Sequence, residues 1–109
     1  MVNNKQLTIS GLIELLTNHP NSEVENITYP HSYRGYYDEL ALERIEGKRS
    51  KIELMNDLLL TIGKTFDGYK GGLYTMSENT LVWISDYGCC GDKIVGLDED
   101  GMFITEEYY

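Results

Sequence analysis

A chain of 109 residues and 12.5 kDa has the size of a single folding unit, so one hydrophobic core and one domain spanning residues 1–109 are expected. Its 41% hydrophobic and 25% charged residues exclude a disordered or collagen-like polymer. Eighteen acidic against nine basic residues give a formal net charge of −9, a mean field that opposes non-specific binding to nucleic-acid backbones. No apolar run approaches the roughly 18 residues of a membrane span, and Met1 to Gln6 lack the layout of a signal peptide. A cytoplasmic protein with no membrane partner is expected.

The first element is a helix over about residues 8–18. Leu12, Ile13, Leu15 and Leu16 recur at helical spacing behind Thr8 or Ser10, either of which can cap the first turn. His19-Pro20 ends it, because a residue before proline is pushed out of the helical region. Residues 23–29 and 39–45 are strand candidates from Val24, Ile27, Leu40 and Leu42, with a polar, aromatic segment between them at residues 31–37. The second helix starts at Ser50. Ser50 and Glu53 fit the capping-box spacing, Ile52, Met55, Leu58, Leu59 and Ile62 make an apolar stripe, and Gly63 is a stop. Lys48, Arg49 and Lys51 read as the solvated entry of this helix.

Beyond Lys64 the periodicity changes. Residues 65–72 read as a glycine-containing loop, and residues 73–76 and 80–85 as a hairpin across Ser77-Glu78-Asn79. Further strands are expected at 93–97 and 102–105, joined through Asp98-Glu99-Asp100-Gly101, so the second half resembles an antiparallel meander. The order of elements predicts an α+β domain: a mostly antiparallel β-sheet with two helices packed on it.

Catalytic templates are nearly absent. Gly63-Lys64-Thr65 lacks the earlier glycine of a phosphate-binding loop and ends a helix rather than beginning one. The adjacent Cys89 and Cys90, with His19 and His31 far off, do not make a zinc spacing, and they read as reduced thiols near a turn. No metal or cofactor is expected. His19 reads as structural at its helix exit, while His31, beside the tyrosine-arginine segment, is the one candidate general base. Paired acids such as Asp38-Glu39 read as solvated charge.

Nine of the twelve aromatic residues are tyrosines, a composition that suits a recognition surface. Ser32-Tyr33-Arg34-Gly35-Tyr36-Tyr37 sets a planar cation among aromatic faces, groups that stack on a base and fork onto a phosphate. Gly68-Tyr69-Lys70-Gly71-Gly72 adds a second cation flanked by glycines, whose amides can approach an anion closely. The plainer alternative is that the tyrosines pack on the sheet, Arg34 pairs with a carboxylate and the glycines only permit turns. In so acidic a chain a compact ligand with few phosphates fits better than a long nucleic acid.

These two segments, with Leu40-Ala41, Gly63-Lys64-Thr65-Phe66, Tyr74-Thr75-Met76, Thr80-Leu81-Val82-Trp83 and Tyr87-Gly88, resemble a set of small bacteriophage proteins over roughly residues 8–97. The chain thereby resembles the first family of Thoeris anti-defence proteins, phage sponges that bind cyclic ADP-ribose isomers and keep them from a host effector. The resemblance implies sequestration of a small cyclic nucleotide without turnover, a homo-oligomer, and pockets built where protomers meet. In that setting Arg34 and Lys70 would neutralise the pyrophosphate beside Gly71, Tyr33, Tyr36, Tyr69 or Trp83 would stack on adenine, and Ser32 or Asp86 would bond ribose hydroxyls. Two other classes compete: an acidic phage inhibitor that binds a host defence protein directly, of anti-CRISPR or nucleic-acid-mimic type, and a small nucleotide enzyme with His31 as base.

Overall fold

The structure, a computed structural model, describes residues 6–35, 38–67, 72–86 and 90–107. Helix α1 (Ile9–Asn18) begins where Thr8 Oγ1 accepts a hydrogen bond from Gly11 N at 3.1 Å, which satisfies one free amide of the first turn. Ile9, Leu12 and Leu16, three and four residues apart, are fully buried. At His19, ahead of Pro20, the backbone turns extended (φ −74°, ψ 135°). His19 Nδ1 accepts from Asn21 N at 3.1 Å, so Nε2 carries the proton and donates to Asp98 O at 2.7 Å. The expected structural role of His19 is thus a tie between the helix exit and the Asp98–Gly101 turn.

Strand β1 (Glu23–Ser32) pairs antiparallel with β2 (Leu40–Ser50), with register breaks at Glu25/Ile27 and Thr28/His31, and a short 3₁₀ turn (Tyr33–Gly35) follows β1. Both strands outrun their expected lengths, and β2 passes straight into helix α2 (Lys51–Thr61). The small strands β3 (Thr65–Asp67) and β4 (Leu73–Thr75) pair with each other. Strand β5 (Val82–Ile84) lies parallel to β2, and β6 (Asp92–Leu97) and β7 (Phe103–Glu107) continue antiparallel from it. The result is a five-stranded, mostly antiparallel sheet of order β1-β2-β5-β6-β7 beside a two-stranded one. The fold is α+β.

The expected hairpin of residues 73–76 with 80–85 does not form, and part of the expected loop, residues 65–67, is β3. Burial decides the pairing. Val82, Trp83 and Ile84 are all buried, so β5 needs a strand on each side, whereas Leu73 and Thr75 are exposed and suit a peripheral ribbon. Between them Thr80 N donates to Ser77 O and Ser77 N to Thr80 Oγ1, closing a turn that sends β5 onto β2.

At α2 Ser50 caps as its spacing predicts, accepting from Glu53 N, and Gly63 takes φ +83°, a left-handed stop that an L side chain would strain. The buried face, however, is Leu54, Leu58 and Thr61, while Ile52 and Leu59 are 62% and 52% exposed. The expected stripe is thus right only in part: Leu58 is buried and Met55 packs on the core, whereas Ile52, Leu59 and Ile62 are exposed and Leu54 is buried instead; α2 packs against α1, β1 and β2, and its apolar residues exceed what one face can bury. Nor is its basic entry merely solvated. Arg49 donates to Ile27 O at 3.1 Å and pairs with Asp57 at 2.9 Å, and Lys51 Nζ donates to His19 O.

One core joins both helices to the main sheet through Leu12, Leu16, Ile27, Leu42, Leu54, Leu58, Val82, Ile94 and their neighbours. The sheet's two edge strands meet at one end. Glu25 N donates to Gly101 O at 2.7 Å, and the buried Glu25 carboxylate accepts from Phe103 N at 3.0 Å and pairs with Arg44. Among the described residues no helix is long and apolar enough to cross a membrane.

Candidate functional site

The site follows from the two-residue period of the strands. Leu40, Leu42, Val82 and Ile84 turn into the core beneath the helices, so Ala41 and Trp83, between them, point to the opposite face. In register Ala41 sits beside Trp83, and Trp83 beside Lys93. This row across β2, β5 and β6 is the floor of the site. Ala41 is small, and the Tyr33 ring, arriving from the 3₁₀ turn, stacks on Trp83 with centroids 3.9 Å apart and planes 6° from parallel; Tyr33, Ala41 and Trp83 form a second apolar cluster.

Hydrogen bonds from two sides hold the ring pair among the described residues. Trp83 Nε1 donates to Glu39 Oε1 at 2.7 Å, and Gly91 N donates to Tyr33 Oη at 3.1 Å. The second needs glycine: a Cβ at position 91 would lie 2.2 Å from Ile84 O and 2.3 Å from Ser85 Cβ. Burial pushes the Tyr33 phenol above its ordinary pKa, with Cys90 and Glu39 acting in the same direction and the Gly91 N–H and Arg34 opposing.

Beside the rings opens a cleft of about 330 Å³, bordered by Arg34, Lys93, Glu39, Gln6 and Cys90. Arg34 reaches it from a left-handed backbone (φ 56°, ψ 6°), a conformation that costs a non-glycine residue roughly 1–2 kcal/mol and is held by its surroundings. Gln6 arrives because the segment before α1 fits beside β5 and β6: Leu7 N donates to Ile94 O, Val82 N to Leu7 O, and Gln6 Nε2 to Val82 O. Among the described residues the cleft thus offers two cations, one carboxylate and an aromatic wall, groups suited to a small anion carrying a flat ring.

Of the residues expected to bind a ligand, Tyr33, Arg34 and Trp83 come together here. Their arrangement differs from open stacking platforms: at 5% and 4% exposure each ring covers the other, so a ligand ring meets the pair from the cleft side only. Ser32 is buried and Asp86 exposed, and neither borders the cleft. Tyr36, Tyr69, Lys70 and Gly71 lie outside the described residues, and with them the expected convergence of Arg34 and Lys70. His31 is buried on β1, its Nδ1 2.9 Å from Tyr29 O and 4.0 Å from Glu43, and it does not border the cleft.

Three bordering residues went unnoticed in the sequence. Glu39 reads there as half of a solvated acidic pair, yet it orients the indole. Lys93 and Gln6 carry no motif; strand alternation, applied to Trp83 and its partner strand, is the signal that leads to Lys93. Among the described residues no group of three His, Cys, Asp or Glu side chains is arranged to hold a metal ion. No protein-family model, curated protein or solved structure matches the chain.

Proposed function

We propose that the protein binds and sequesters a small cyclic nucleotide signal, a cyclic ADP-ribose isomer, without cleaving it, and that it serves a phage as an anti-defence protein. The observation that carries the reading is the row Ala41–Trp83–Lys93 with Arg34 beside it, which sets two cations against an aromatic wall in one cleft. Cationic groups close to a chain of net charge −9 favour an anion only where geometry gathers them, which suits a compact ligand. Trp83 supplies flat apolar surface, and Arg34 and Lys93 supply the partners for phosphate. A volume of about 330 Å³ is at the lower end of the roughly 300–1,000 Å³ of small-molecule sites. A trap of this kind acts by stoichiometry, and a homo-oligomer would let neighbouring protomers exclude more water from the ligand.

The test is to incubate the purified protein with cyclic ADP-ribose isomers and cyclic dinucleotides, remove free ligand, then denature and identify what is released. Intact ligand in near-stoichiometric amount supports sequestration; an altered ligand points to an enzyme. No bound ligand favours the second reading, an acidic inhibitor of a host defence protein. That reading draws on Ile52, Leu59 and Leu60, exposed apolar residues along one side of α2.

A further inference from the structure

The row that makes the floor of the cleft runs one strand further. Lys93 on β6 is in register with Glu106 on β7, as Trp83 is with Lys93. Register partners on neighbouring strands share a face of the sheet. Ile94, the next residue of β6, is buried in the core, so Lys93 and Glu106 both turn to the cleft side, whereas Glu107, in register with Asp92, turns to the other. Lys93 is half-buried and borders the cleft; Glu106 is exposed and does not. The ammonium therefore stands between two places where negative charge can sit: the cleft on the Trp83 side and the Glu106 carboxylate on the other. Directly opposed residues of an antiparallel pair have Cβ atoms roughly 4.5–5.5 Å apart, and the flexible four-carbon stem of lysine lets its ammonium turn to either side.

We propose that Glu106 is a specificity-determining residue of the cleft and acts through Lys93. An anion that enters must draw the ammonium toward itself against the pull of the Glu106 carboxylate. That pull lowers the affinity for every negative ligand by the same factor, whatever else the ligand carries. A bare anion has only its charge with which to offset the loss. A ligand that also lays a flat ring against the Tyr33–Trp83 wall gains a contact that Glu106 does not touch. Glu106 thus makes occupancy depend on the ring, and it keeps out small inorganic anions that Arg34 and Lys93 would otherwise collect. This rests on the anion-binding half of the nucleotide reading and adds the residue that sets the balance between charge and ring.

The experiment is isothermal titration of the full chain with inorganic pyrophosphate and with ADP, for the wild type, Glu106→Gln and Glu107→Gln. The two variants change the net charge equally, and of the two residues only Glu106 faces Lys93. Glu106→Gln is expected to raise the affinity for pyrophosphate and ADP by one common factor of roughly two to five, the worth of a cross-strand ion pair, and Glu107→Gln to leave both unchanged. In a Lys93→Ala background Glu106→Gln should have no such effect. Equal shifts from the two variants, no shift from Glu106→Gln, or a shift that survives the loss of Lys93 overturns the role of Glu106, while tight ADP binding by the wild type keeps the nucleotide reading. If pyrophosphate binds and responds to Glu106→Gln but ADP does not bind, the nucleotide reading falls and the hold of Glu106 on Lys93 stands. Failure of both ligands to bind overturns both.

Discussion

Gly91 N donates to the phenol oxygen of Tyr33 at 3.1 Å, and this contact fastens the start of β6 to the turn that follows β1. Through Tyr33 it reaches Trp83, and through Trp83 the Glu39 carboxylate. A cleft wall drawn from four separate stretches of chain is therefore one connected unit.

Tyr33→Phe keeps the stacked ring and removes the acceptor for Gly91 N, so it should cost about 0.5–1.5 kcal/mol in urea denaturation at neutral pH. It should also change the alkaline limb. Burial raises the folded pKa of Tyr33 above its unfolded 10.0, so the folded state holds its proton more tightly. This contribution to stability is fully present below pH 10 and is lost as pH rises through the folded value. The wild-type denaturation midpoint should fall more steeply than that of Tyr33→Phe above pH 10, and parallel curves would refute the assignment.

Lys93→Ala should weaken nucleotide binding by about tenfold or more, with a stability change under about 1 kcal/mol, because a partly exposed cation contributes little to folding. Lys64, which sits over Phe66 at 5.0 Å and away from the cleft, is the matched control, and Lys64→Ala should leave affinity unchanged. Quenching of Trp83, the single tryptophan, gives the measurement.

Two leucines of α2 separate packing from pattern. Leu54 is fully buried and Leu60 is 73% exposed. Leu54→Ala should cost about 2–5 kcal/mol through the cavity it leaves, and Leu60→Ala less than about 0.5 kcal/mol. Similar losses for the two in chemical denaturation would contradict the observed face of the helix.

Glu25→Ala strips the acceptor from Phe103 N and the partner from Arg44, and should cost about 1–3 kcal/mol for the buried amide alone. Glu25→Gln retains an amide oxygen for Phe103 N and should recover most of that loss. If hydrogen exchange at Phe103 is as slow in the alanine variant as in the wild type, the closure of the sheet edges does not depend on this side chain.

Local chemistry was legible in the sequence; long-range pairing was not. Thr8, Ser50, His19-Pro20 and Gly63 mark both helices within a residue or two, because caps and stops act on the backbone next to them. The α2 face was identified only in part, Leu58 and Met55 but not Leu54, because Ile52, Leu59 and Ile62 are as apolar as the residues that pack, and only the position of α1 and the sheet chooses among them. The partner of β5 was misassigned to the nearest strand-like segment, although burial on both sides requires two flanking strands. Tyr33, Arg34 and Trp83 stood out by residue type. Glu39 and Lys93 did not, since each takes its role from the register of strands brought together by β2 and β5.

The parallel contact of β2 with β5 bears on how binding is acquired. Tyr33, Arg34 and Glu39 precede the crossover formed by α2, β3 and β4, while Trp83 and Lys93 follow it. No fragment ending inside that crossover carries both walls, so the cleft, and with it the proposed nucleotide site, is complete only once β5 and β6 have docked. If the proposed ligand binds there, capture is coupled to completion of the fold, and saturating ligand should raise the midpoint of global unfolding by mass action rather than tighten a single loop.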